Sequence, residues 1–224
     1  MQTEIRTFET MQYVVRYPKG YTSGQRYPVI LALHGAGTRG TDVSVLMDNA
    51  CFALTEQLED FPFVMVAPLC HEYTWFDLFE QLRRFAQAMH EAPFTDPDRF
   101  YLMGVSMGGY GAWQLAMSLP ELFAAMVPIC GGGIYAFAAR LKNIPIWAFH
   151  GGLDKTVKAE ESIKMVEAVN KRGGNAKLTI YPENKHDAWT DTYSNPDVFA
   201  WLLSHKRQGA EVLSENFEGS KQYG

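Results

Sequence analysis

The segment Gly104-Val105-Ser106-Met107-Gly108 carries the strongest chemical signal in the sequence. It fits G-x-S-x-G, a pattern that sets a serine on a sharp strand-to-helix turn with its hydroxyl projecting from the end of a sheet. Glycine two positions away on either side relieves the clashes that a Cβ would create there. A serine hydroxyl is a weak nucleophile until a nearby base removes its proton, and that base needs an acid to orient it. With the serine on such a turn, the chain order runs Ser, acid, His. Of six histidines, His186 lies beyond the last strand-like run, in Asn184-Lys185-His186-Asp187-Ala188-Trp189. His90 and His205 fall in helical stretches and read as solvated. His34 and His150 each precede a glycine at the end of an apolar run, where a histidine organises a loop by hydrogen bonding. The acid belongs on the loop after the preceding strand, where Asp154 stands in the run His150 to Val157 (HGGLDKTV). Asp154 could also serve as a helix N-cap, since a helical pattern starts soon after it. Asp187 and Asp191 are rivals by type, but Asp187 adjoins the histidine, and neighbouring side chains on an extended loop point apart.

Acyl transfer builds negative charge on the carbonyl oxygen, so backbone N–H groups must already face that position. Met107, the residue after the serine, supplies one donor at the positive end of its helix. The second belongs to the loop His34-Gly35-Ala36-Gly37: Ala36 is the first choice and Gly37 the substitute. Trp75, Phe76, Tyr110 and Trp189 are candidate walls for an acyl or aromatic group, and each fits ordinary core packing equally well.

Positioning these groups requires short buried strands that alternate with helices. Strand-like runs occupy 5–8, 12–17, 27–33, 63–67, 100–103, 126–129, 144–149 and 176–181, and 96–99 reads as a turn. Helical spacing marks 76–90, 106–118, 159–171 and 196–205, the last with a proline in its first turn. The pattern predicts an α/β fold with a mostly parallel sheet of roughly eight strands and helices on both faces. Its site should be open, at the carboxyl ends of the strands. Residues 1–208 form the expected catalytic domain and 209–224 a polar tail.

The composition narrows the classes of partner. A net charge of -5 among 224 residues, with no basic cluster larger than Lys206-Arg207, argues against nucleic acid or an anionic membrane as partner. Three widely spaced cysteines, Cys51, Cys70 and Cys130, show no zinc spacing and read as buried free thiols, so no metal and no cofactor are expected. The polar first residues and the lack of a long apolar run lead to the expectation of a cytoplasmic protein.

Taken together, the motifs resemble compact esterases of the α/β-hydrolase superfamily. The likeness is to the lid-less group that includes carboxylesterases, feruloyl-esterase-like and polyhydroxybutyrate-depolymerase-like enzymes and predicted peptidases. It is carried by His34 to Asp42 (HGAGTRGTD), Asp98 to Trp113 (DRFYLMGVSMGGYGAW), His150 to Asp154 (HGGLD) and His186 to Trp189 (HDAW). The resemblance implies a triad of Ser106, Asp154 and His186, oxyanion donors at Ala36 and Met107, and a loop-ordering role for Arg39 and Asp42. It implies hydrolysis of a small or short-acyl carboxylic ester, aromatic acyl groups included, through an acyl-enzyme. A thioesterase or an oligopeptidase-like amidase could use the same triad. A non-catalytic binding protein on this fold would be expected to lack a triad member, and none is missing here.

Overall fold

The computed structural model describes residues 1–207, so the expected tail from 209 onward lies outside the described residues. Eight strands form one sheet: β1 (Thr3–Phe8), β2 (Met11–Arg16), β3 (Tyr27–Leu33), β4 (Val64–Pro68), β5 (Thr95–Val105), β6 (Ala125–Ile129), β7 (Ile146–Gly151) and β8 (Ala176–Tyr181). Their order is β1-β2-β4-β3-β5-β6-β7-β8. The β1–β2 and β2–β4 pairs are antiparallel and all others parallel, which matches the predicted fold class.

Among the described residues, six α-helices cover the sheet: α1 (Ala50–Ala53), α2 (Phe79–His90), α3 (Met107–Ser118), α4 (Glu160–Asn170), α5 (Trp189–Ser194) and α6 (Pro196–Leu203). Side-chain alternation along the strands divides the interior in two. Val29, Leu31 and Leu33 of β3 pack with α2, α3 and α4. Ile30 and Ala32 face the other way, toward α1, α5 and α6. β3 leads to β4 on one side, while β5 lies on its other side and leads on to β6. The ends of β3 and β5 therefore flank a topological switch point, where a crevice opens for a ligand.

Two expectations need correction, and one feature had no expectation. The segment read as a turn at 96–99 continues β5, because Tyr27 pairs with Thr95 before an irregularity resets the register at Val29 and Phe100. α2 starts at Phe79 rather than 76 because Thr74 turns the chain: Asp77 accepts hydrogen bonds from its amide and its hydroxyl. Short helical turns at Val43–Leu46, Ala50–Ala53 and Thr55–Gln57 form a wall beside the crevice that periodicity did not reveal. Arg16, 4% exposed on β2, fastens that wall. Its Nη1 donates to Phe52 O at 2.6 Å and its Nη2 to Thr55 Oγ1, with the Phe52 ring 4.9 Å from the guanidinium.

Candidate active site

Ser106 is the single residue between β5 and α3, with φ 54° and ψ −114°. A residue with a Cβ held there costs about 1–3 kcal/mol, so its surroundings must enforce the conformation. They do so with hydrogen bonds on both sides: Ser106 N donates to Ile129 O at 2.8 Å, and Ser106 O accepts from Tyr110 N at 3.0 Å. The flanking glycines are needed for space. A Cβ on Gly104 would run into the Gly108 carbonyl, and one on Gly108 into the Leu33 carbonyl.

The structure brings Ser106, His186 and Asp154 together from three separate loops. Ser106 Oγ lies 2.8 Å from His186 Nε2, and His186 Nδ1 lies 2.7 Å from Asp154 Oδ2. A carboxylate can only accept, so Nδ1 carries the proton and Nε2 is left to accept from the serine hydroxyl. The Asp154 side chain is fully buried, whereas that of His186 is 23% exposed and open to the crevice. Burial works against charge on Asp154. Hydrogen bonds from His186, Val157 N and Thr156 N outweigh it and hold the carboxyl below its ordinary pKa. The two amides reach Oδ1 at 3.0 and 2.8 Å and close a turn ahead of α4, whose N-cap is Ala159, so Asp154 does not cap that helix. The rivals are occupied elsewhere: Asp187 accepts from Thr190, and Asp191 from Asn184.

Two further histidines brace this arrangement. His150 is fully buried, with Nε2 2.9 Å from Val157 O and 3.3 Å from Asp154 Oδ2, and Nδ1 2.7 Å from Ser162 Oγ. His34 braces the loop after β3: its Nδ1 donates to Gly35 O at 2.7 Å, and its Nε2 accepts from Cys70 N at 2.9 Å. The carbonyl and N–H of one trans peptide point in opposite directions. Holding Gly35 O against the His34 ring therefore turns the Ala36 N–H away from it. Among the described residues, neither the Ala36 nor the Met107 amide donates to a backbone carbonyl. Arg39 donates to Ala36 O within the loop and to Tyr73 O on the segment ahead of α2, and Asp42 accepts from Ser44 N within the loop.

The crevice holds a cavity of about 560 Å³ lined by Ser106, His186, Ala36, Gly37 and Trp189. The other aromatic candidates do not line it. Trp75 is fully buried and donates its Nε1 to His34 O at 3.0 Å, so it supports the loop from behind. Phe76 is 51% exposed, and Tyr110 packs near Gly132. The lining also includes Ala32, Leu46, Asp48, Cys51, Ala67 and Tyr193, none of which sequence reasoning found. Nothing in their spacing marks them, because the strand pairing and the irregular wall bring them together. Cys130, His150 and Asp154 offer potential metal-ligating atoms within 4.8 Å of one another. Those groups are already engaged in the site: Cys130 Sγ donates to His186 O at 3.1 Å, His150 Nε2 to Val157 O, and Asp154 accepts from His186 and two amides.

Residues 74–208, well over half the chain and including Ser106, Asp154 and His186, match the dienelactone hydrolase family. The chain belongs to that family. No curated protein matches its sequence. Among solved structures, this dienelactone hydrolase family member is similar to a thermostable esterase at 30% identity and TM-score 0.75, covering 92% of the present chain. It spans only 63% of that esterase's length. It shares its fold with Est1E from Butyrivibrio proteoclasticus (14% identity, TM-score 0.71, 90% of this chain and 98% of that one). The same holds for a dienelactone hydrolase homologue from Klebsiella pneumoniae subsp. pneumoniae MGH 78578 (16% identity, TM-score 0.69, 91% and 97%).

Proposed function

We propose that this protein is a serine carboxylesterase acting on small-molecule esters. Ser106 Oγ attacks the ester carbonyl carbon as its proton passes to His186 Nε2, and Asp154 stabilises the imidazolium that results. The amides of Ala36 and Met107 hold the oxyanion. Collapse of the tetrahedral intermediate breaks the carbonyl carbon–alkoxide bond, and His186 returns its proton to the departing alcohol. Water then gives a proton to His186 and attacks the acyl-serine, and collapse of the second intermediate releases the acid and re-forms the Ser106 hydroxyl. The observation that supports this reading is the unbroken series from Ser106 Oγ to His186 at 2.8 Å and on to Asp154 at 2.7 Å.

The test combines labelling with turnover. A fluorophosphonate should label the wild-type protein and fail to label Ser106→Ala. Turnover of 4-nitrophenyl esters from acetyl to octanoyl, with a feruloyl ester beside them, should fall about 10⁴-fold or more in the variant. Matched thioester and peptide substrates should be slower than the esters. Labelling that survives Ser106→Ala, or faster turnover of the thioester or peptide, overturns the reading.

A further inference from the structure

The cavity beside Ser106 extends into the sheet. Ala32, Leu46, Cys51, Ala67 and Tyr193 all line it, yet none is more than 3% exposed. The parallel register explains the depth. Leu31 of β3 pairs with Val66 of β4, so the next residues, Ala32 and Ala67, lie side by side. Both face the α1, α5 and α6 side of the sheet. Two adjacent methyl groups, where neighbouring positions on that face carry Ile30 and Met65, leave a hollow that Leu46, Cys51 and Tyr193 enclose.

The position of the hollow decides which part of an ester enters it. β3 and β4 lie on one side of β5, whereas β7 and β8, whose loops carry Asp154 and His186, lie on the other. The departing alcohol oxygen must face His186 to receive its proton. The remaining substituent of the carbonyl carbon is the acyl chain, and it is directed to the opposite side, over Ala32 and Ala67.

Charge narrows the class further. Among the described residues no Lys or Arg lines the cavity, and its one carboxylate is Asp48, which is exposed. The nearby guanidinium groups are committed elsewhere: Arg39 to Ala36 O and Tyr73 O, and Arg16 to Phe52 O and Thr55. A carboxylate at the end of an acyl chain would be buried there without a partner, which is strongly unfavourable.

Resting on the esterase reading, we propose that the Ala32–Ala67 hollow is the acyl pocket, and that it selects uncharged acyl chains of roughly four to eight carbons over acetyl and over acyl chains ending in a carboxylate. Each methylene that leaves water should raise kcat/KM about fourfold until the hollow is full.

The experiment compares kcat/KM for 4-nitrophenyl acetate, hexanoate and octanoate and for the mono-4-nitrophenyl ester of adipic acid, which matches hexanoate in length but ends in a carboxylate. Wild type should favour hexanoate over the adipate ester by about 100-fold or more. Ala67→Leu should lower the hexanoate-to-acetate ratio at least tenfold. Leu46→Ala, which enlarges the same hollow, should shift preference from hexanoate toward octanoate. Melting curves show which variants fold; if Ala67→Leu does not, Leu46→Ala decides alone. An unchanged ratio in a folded variant, or equal turnover of hexanoate and the adipate ester, overturns the pocket assignment while leaving the esterase reading intact. A wild type that hydrolyses none of these esters overturns both.

Discussion

The chain places a His-Gly pair at two strand ends that flank the reaction centre, and the two pairs do different work. His34, after β3, meets one donor and one acceptor: Cys70 N–H points into Nε2 while Nδ1–H points at Gly35 O. That arrangement suits a neutral ring of a single tautomer. Burial, helped by Arg39 and opposed by the Gly35 contact, pushes its pKa down to about 4. His150, at the end of β7, has its Nε2 between two acceptors, Val157 O and Asp154 Oδ2. One histidine orients a neutral peptide group and the other supports a carboxylate. The same dipeptide at equivalent places in the fold thus takes its role from what its loop must deliver.

The largest effect expected from breaking this contrast lies on the β7 side. Asp154→Asn removes the acceptor that sets the His186 tautomer, and kcat for ester hydrolysis should fall about 10⁴-fold with the fold retained. A loss under tenfold, measured on protein with an unchanged melting curve, would remove Asp154 from the acid role.

Next comes the pH dependence of stability on the β3 side. In the unfolded chain the His34 ring ionises near pH 6.5, as an ordinary histidine does. Between that value and about 4 the unfolded state takes up a proton that the folded state refuses, so stability drops as the pH falls through this window. The contribution lost by pH 4 is about 3 kcal/mol. Urea denaturation of wild type and His34→Gln from pH 7 to pH 4 should show a shallower decline in the variant. Parallel curves would show that His34 carries no such linkage.

A smaller change is expected at His150. His150→Gln should lower kcat about tenfold with little change in KM, because the substrate does not touch it and Asp154 loses a neighbour that holds it. A change confined to KM would contradict a positioning role. The smallest effect concerns the thiols beside each region. Burial pushes both Cys51 and Cys130 up to about 12, so neither offers thiolate at pH 8. Iodoacetamide should leave both unmodified in the folded protein and label them in urea, as read by peptide mass.

How far the sequence revealed this arrangement depended on whether the constraint was local. Ser106 was legible because its turn needs Gly104 and Gly108 within four residues, and β8 was legible from the alternation within its own six residues. Asp154 and His186 were legible because each lies on the loop directly following a readable strand. The acyl hollow was not, since Ala32 and Ala67 are 35 positions apart and become neighbours only through the β3–β4 register. The wall at 43–57 was also hidden. Its helical turns are three or four residues long, too short to show a period, and it is held by Arg16 from a distant strand. For Trp75 the sequence left a site wall and core packing equally open, and only the folded chain sets its indole beneath His34.

Arg16 has a bearing on the wall as a whole. Its charge meets carbonyl and hydroxyl dipoles rather than a carboxylate, and arginine stays ionised across the working range. Among the described residues no carboxylate accepts a hydrogen bond from it, and the side chain is too deep for dissolved salt to screen. The rim that shapes the acyl hollow is therefore riveted to the sheet by hydrogen bonds whose acceptors do not titrate.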